Sequence, residues 1–221
     1  MSNLDKCLIF SNLELPHFRL QDMKIKPLIQ LREMISKALS AQANLSKSFQ
    51  SFFIEAMELF LTIPNRINFL QMGRFGRSSE QRFSMNSRKK FDWISFNRTM
   101  VQEVNPNRRA IAIDPIYISK SGKKTPSVGY FFSTDIVMNP IDILDVYRTR
   151  FHIEFLYRDS KQFTGLCNCQ SGDVKEMDFA FNMSLSTINV ARQFGKEYDV
   201  DLSVSDVKML LNRECRLMFS I

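Results

Sequence analysis

With 221 residues, 44% of them hydrophobic and 12% aromatic, the chain can bury a real core, and disorder over its whole length is excluded. Thirty Lys and Arg against 23 Asp and Glu leave a formal charge of +7, a balance that favours a polyanionic partner, DNA or RNA first. The longest apolar stretch, Phe52 to Ile63, contains Glu55 and Glu58 and stops at Pro64; it is too short and too charged to span a bilayer, and no membrane partner is expected.

Residues 1–108 read as a helical, basic portion suited to DNA. Pro27 stands where a first helical position would be, and Leu28, Leu31, Ile35 and Leu39 follow at helical spacing. A second helix is predicted from about Asn44 to Ile63, with Phe49, Phe52, Phe53, Met57 and Phe60 on one broad apolar stripe that Pro64 ends. Between Asn65 and Lys90 cations alternate with aromatics: Arg66, Arg74, Arg77, Arg82 and Arg88 among Phe69, Phe75 and Phe83. Arginine forks pair with phosphate oxygens, so the group reads as a DNA-contacting surface; the plain alternative is a solvated face over buried rings. Ser78 followed by Gln81 reads as a capping box.

Residues 109–221 change character. Ala110 to Ile113 reads as a short buried strand ending in Asp114, and Val128 to Phe132 as a returning strand after the turn around Gly122. Asn139 and Pro140 then start a long helix, cap and first position, that runs to about Phe163, and Gly165 breaks it. Lys175–Arg192 and Ser205–Phe219 read as two closing amphipathic helices. Cys7 and Cys215 are isolated, Cys167 and Cys169 form only a C-N-C pair, and neither His17 nor His152 lies near them, so no zinc ligand set is expected. The first residues lack the basic-then-apolar pattern of a signal peptide. Reduced thiols in the cytoplasm are expected.

Within the long helix stand Tyr147, Arg150, Glu154 and Lys161. Offsets of three, seven and fourteen place them within an arc of about 60° at 100° per residue, with Arg158 beside them. Such a face is either solvated surface or a carboxylate set among cations and a phenol for work on phosphate.

The pattern Tyr147-x-x-Arg150-x-x-x-Glu154-x-x-x-x-x-x-Lys161, the surrounding Phe151 to Gln162, and Ala112-Ile113-Asp114-Pro115 with Lys120-Ser121-Gly122-Lys123-Lys124-Thr125 occur in one order along the chain. In both blocks the chain resembles the DDE transposases of bacterial insertion sequences that carry a Y-R-E-K signature. Asn65 to Phe69 and Phe91-Asp92-Trp93 resemble their helical N-terminal part. The resemblance implies an α+β fold: a helical N-terminal portion, a truncated ribonuclease-H-like portion with few strands, and a helical C-terminus. It implies DNA transposition by in-line displacement at phosphorus, assisted by two Mg²⁺ or Mn²⁺ ions about 4 Å apart. Asp114 and Glu154 would be the catalytic metal ligands, and Tyr147, Arg150, Arg158, Lys161 and Lys120 would hold phosphates. The implied partners are double-stranded DNA, the terminal inverted repeats of the element, and itself or an intact transposase.

One part of the family pattern is missing. Gly129-Tyr130-Phe131 runs straight into Phe132-Ser133-Thr134-Asp135, and only 39 residues separate Asp114 from Glu154. The segment that carries the second catalytic aspartate has no room there. Asp135, Asp142 and Asp145 are the only nearby acids; the last two read as a first-turn acid and a solvated helix position. The expectation is a catalytically incompetent transposase-derived protein that keeps DNA binding. The alternative is a non-catalytic DNA-binding regulator or inhibitor of an intact transposase.

Overall fold

The computed structural model describes residues 26–42, 45–101, 137–197 and 202–219. The expected strands at 110–113 and 128–132, and with them Asp114, Lys120 and Asp135, lie outside the described residues.

Local signals set most helix ends. Helix α1, Pro27–Ser40, has its proline at the first position and buries Leu28, Leu31, Ile35 and Leu39. Helix α2, Lys47–Thr62, starts later than the expected Asn44, because Ser46 is the cap: its hydroxyl accepts from the Phe49 N–H at 3.2 Å. Two short helices follow, α3, Phe69–Phe75, capped by Asn68, and α4, Glu80–Ser87, capped by Ser79. Ser78, expected as part of a capping box, is instead buried, and its N–H and hydroxyl both donate to Glu55 of α2, at 2.8 and 2.6 Å. Helix α5, Trp93–Met100, is capped by Asp92.

Asn139 caps α6, Pro140–Arg148, by accepting from the Ile141 N–H at 2.9 Å. Helix α7, Phe151–Phe163, follows at once and ends at Gly165, whose φ of +70° lies in the left-handed region. Helices α8, Val174–Glu197, and α9, Val204–Phe219, close the chain.

Helix α2 is the centre of the bundle. Its ring Phe53 is fully buried, with Phe91 at 4.4 Å, Phe96 at 5.0 Å and Trp93 at 5.6 Å between centroids. On another side Phe52 meets Phe83 of α4 at 6.0 Å and Phe179 of α8 at 5.5 Å. Each such ring contributes about 1.5–3 kcal/mol by leaving water, with a further increment for tilted ring pairs. One core runs through both halves of the sequence, since α8 and α9 pack on α1 and α2.

The α+β expectation is corrected by this packing. Among the described residues every element is a helix and none is a strand. The apolar face of α8, including Phe179, Met183, Ile188 and Phe194, is buried in the helical core. No helix of the described residues is long and apolar enough to cross a membrane.

Candidate nucleic-acid interface

Helices α6 and α7 form an arm with two different ends. The C-terminal end of α7 is anchored. Ser160 and Thr164 are small and fully buried, which lets α7 approach α8, and the Thr164 hydroxyl is bonded to the Ser184 carbonyl at 2.9 Å and to its hydroxyl at 2.8 Å. Asp159 makes a second tie, lying 3.7 Å from Arg192 of α8. A third comes from Lys208 of α9, whose ammonium donates to carbonyls in the last turns of two helices, Phe163 of α7 and Phe60 of α2. Burial lowers its pKa to about 8.

The other end is open to water. Helix α6 buries none of its residues, and Phe151, Phe155 and Tyr157 on the first turns of α7 are all exposed. Ile141 is 68% exposed and Val137, just before the helix, 87%.

The expected single helix from Asn139 to Phe163 is divided at Thr149 and Arg150. There the backbone tightens: Arg150 N–H donates to Tyr147, His152 to Thr149 and Ile153 to Arg150, each three residues back. A 3₁₀ turn advances about 120° per residue where an α-helix advances 100°, so the residues of α7 are rotated from the single-helix arc that the spacing suggested.

Arg150 nonetheless brings three of the expected residues together. Its guanidinium lies over the Tyr147 ring at 5.5 Å and the Phe151 ring at 5.3 Å, and its Nη2 stands 3.4 Å from Glu154 Oε1. Its side chain is only 13% exposed although it lies outside the core, because two rings enclose it. Arg158 sits one turn beyond Glu154, over the Phe155 ring at 4.9 Å and forked onto Asp159 at 3.0 and 3.1 Å. Lys161 is exposed a turn further on. The structure therefore gathers Tyr147, Arg150 and Glu154, with Arg158 and Lys161 further along the same arm. Asp114 and Lys120 lie outside the described residues.

Asp142 and Asp145 remain on α6, where Asp142 is in the first turn and Asp145 pairs with Arg148 at 3.1 Å. Both match their plain readings. Phe151 and Asp159 were not singled out from the sequence as site residues, yet one encloses Arg150 and the other holds Arg158. A ring next to an arginine and an acid next to another were the signals available. The cations between Asn65 and Lys90 are exposed, as a DNA surface or a solvated face would both require. Arg88 is tied to Asp173 at 3.2 Å and Glu176 at 2.8 Å, which gives it a structural task.

For Mg²⁺ or Mn²⁺ the fit can be tested on Glu154 alone. Its carboxylate is 57% exposed and shares one oxygen with a guanidinium, and among the described residues no three His, Cys, Asp or Glu stand close enough to hold an ion. A two-ion site needs several carboxylate oxygens, so the described residues do not make up its ligand set. What they present is an arginine largely enclosed by two rings and, further along, the exposed cations Arg158 and Lys161 on a solvent-facing helix, an arrangement suited to phosphate. No family model, curated protein or solved structure matches the chain.

Proposed function

We propose that the protein is a cytoplasmic, transposase-derived DNA-binding protein that grips backbone phosphates of double-stranded DNA along the α6–α7 arm. The terminal inverted repeats of the parent element are its natural target. One observation carries the reading: the arm buries nothing on α6, yet it holds Arg150 in place between two rings and Glu154. An ordered guanidinium binds phosphate with little further loss of freedom. Metal-dependent strand transfer belongs to the ancestral activity, and the segment for the second aspartate is missing from this chain.

The test is binding of the full chain to a duplex carrying the DNA that flanks the gene, over a range of salt. The triple variant R150A/R158A/K161A is expected to weaken binding at every sequence and to reduce the salt slope by about 2–3. Unchanged affinity and slope in that variant would remove the arm from the interface. Nicking of a supercoiled plasmid with Mn²⁺ separates the two halves of the ancestral activity. None is expected; cleavage lost in both Asp114→Ala and Glu154→Ala would reveal a working site with a third ligand.

A second reading, a regulator that pairs with an intact transposase, is favoured by the exposed apolar side chains Val137, Ile141 and Phe151. Its mark would be inhibition of a full-length relative by this chain in excess over DNA ends.

A further inference from the structure

Glu58 stands in the apolar stripe of α2 and is only 7% exposed. A carboxylate there needs a counter-charge, and one arginine would suffice. It has two. Arg32 of α1 forks onto both carboxylate oxygens, and Arg77, in the connection between α3 and α4, reaches Oε2 at 3.4 Å. The backbone around Arg77 is fixed as well, because its N–H donates to buried Glu55 at 2.6 Å.

The two guanidinia line one open groove between α1 and α2, of about 770 Å³. Lys47, at the start of α2, adds a third cation, and Ser36, Gln50 and Ser51 add hydroxyl and amide donors. Among the described residues Glu33 is the one acid on its rim. A guanidinium has five N–H donors, and Glu58 takes two from Arg32 and one from Arg77. The rest are left for another acceptor, on side chains whose positions a buried carboxylate has already set. Neutral ligands would gain little from donors already hydrated in an open groove and planar carboxylates would match one fork at a time, whereas a tetrahedral oxyanion offers oxygens to both arginines together.

We propose that the α1–α2 groove is a phosphate-binding site, in which Arg32 and Arg77 contact the oxygens, Glu58 positions the two arginines and Lys47 adds positive charge further along the groove. Its ligand is a phosphodiester of a nucleic-acid backbone or a free phosphate group, which share this chemistry. The site stands apart from the arm: none of its lining residues belongs to α6 or α7.

The experiment titrates the full ¹⁵N-labelled chain with inorganic phosphate and, separately, with a short DNA duplex, following the Nε–H signals of Arg32 and Arg77. The control is the double variant Lys47→Glu, Ser51→Glu; both residues are exposed, so the added charges enter the groove without disturbing the core. Saturable movement of both signals is expected with phosphate, and its loss in the double variant. If DNA is the source, the double variant also weakens duplex binding about tenfold at low salt and reduces the salt slope by at least about 1. If a small phosphate compound is the source, duplex binding is unchanged while the phosphate response is still lost. Signals that stay still with both ligands, or that respond equally in the double variant, overturn the site. The arm variant R150A/R158A/K161A is measured beside it. Weak duplex binding there, with wild-type groove signals that move with neither phosphate nor duplex, would sink this site and leave the arm standing.

Discussion

Helix α2 and the α6–α7 arm carry similar apolar patterns and meet opposite fates. The pattern on α2 ends in a core where Phe52 and Phe53 are fully buried. The pattern on α6, with Ile141, Ile143, Leu144 and Val146, buries nothing. Amphipathic spacing therefore fixes that a segment is helical and says little about whether it has a partner. A nine-residue helix is marginal by itself in water, so α6 depends on its Asn139 cap, the preset proline and the 3₁₀ link into anchored α7. The bundle is held by packing and the arm by its ends. That contrast can be broken at three points.

The largest effect is expected in the core. Phe53→Ala removes a ring packed against Phe91, Phe96 and Trp93 and leaves a cavity among them. It should cost about 3–5 kcal/mol, enough to unfold a marginal domain. Phe155→Ala, on the exposed part of α7, should cost under about 1 kcal/mol. Urea denaturation followed by Trp93 fluorescence measures both. Equal losses would mean that the arm is part of the cooperative core.

A middle effect belongs to the joint between the two regions. Lys208 bridges the last turns of α2 and α7, and burial lowers its pKa from 10.5 to about 8. Between those values the unfolded chain holds a proton that the folded chain has released. Stability therefore rises with pH from about 8 to about 10.5, and below pH 8 the cost of the buried charge is constant. The rise should be about 2 kcal/mol after allowing for residual contact with water. In Lys208→Met the rise attributable to this group disappears. A stability profile with the same slope in wild type and variant would show that the ammonium is hydrated.

The helical part of the fold was readable because its signals are local. Pro27, Pro64, Asn139 and Gly165 mark helix boundaries with backbone chemistry that needs no partner, and the starts expected at 175 and 205 fall one residue from those found, Val174 and Val204. The misjudged ends have a physical cause. Ser78 looked like a cap, but the buried carboxylate of Glu55 claimed both of its donors, and that tie spans 23 positions of sequence. Glu55 and Glu58 had been visible as charges interrupting an apolar stripe. Their meaning, two buried anions with partners on other elements, is a tertiary fact that no window of sequence contains. The same holds for Arg150: spacing placed it near Glu154, while the tightened turn and the enclosing Phe151 ring emerged only in three dimensions. The α+β expectation came from the strands read at 110–113 and 128–132 together with the resemblance. It failed on the described residues, where every element is a helix and α8 buries its apolar face against other helices.

The smallest effect is the most specific to the arm. In Asn139→Ala the Ile141 N–H loses its acceptor, and capping bonds of this kind are worth about 1 kcal/mol to their helix. Because α6 buries no residue, that loss should leave the global unfolding midpoint unchanged and appear only in local opening. Amide hydrogen exchange along α6 should speed up about fivefold, while exchange in α2 and α8 stays as it was. Ser46→Ala is the matched control in the core, since Ser46 caps α2 in the same way. There the same type of bond belongs to a helix that opens only with the whole bundle, so its loss should lower the midpoint and accelerate exchange throughout. If Asn139→Ala instead behaves like Ser46→Ala, α6 unfolds with the core and owes its order to packing. If it behaves as expected, the arm is a locally stabilised helix whose exposed face is available to a partner.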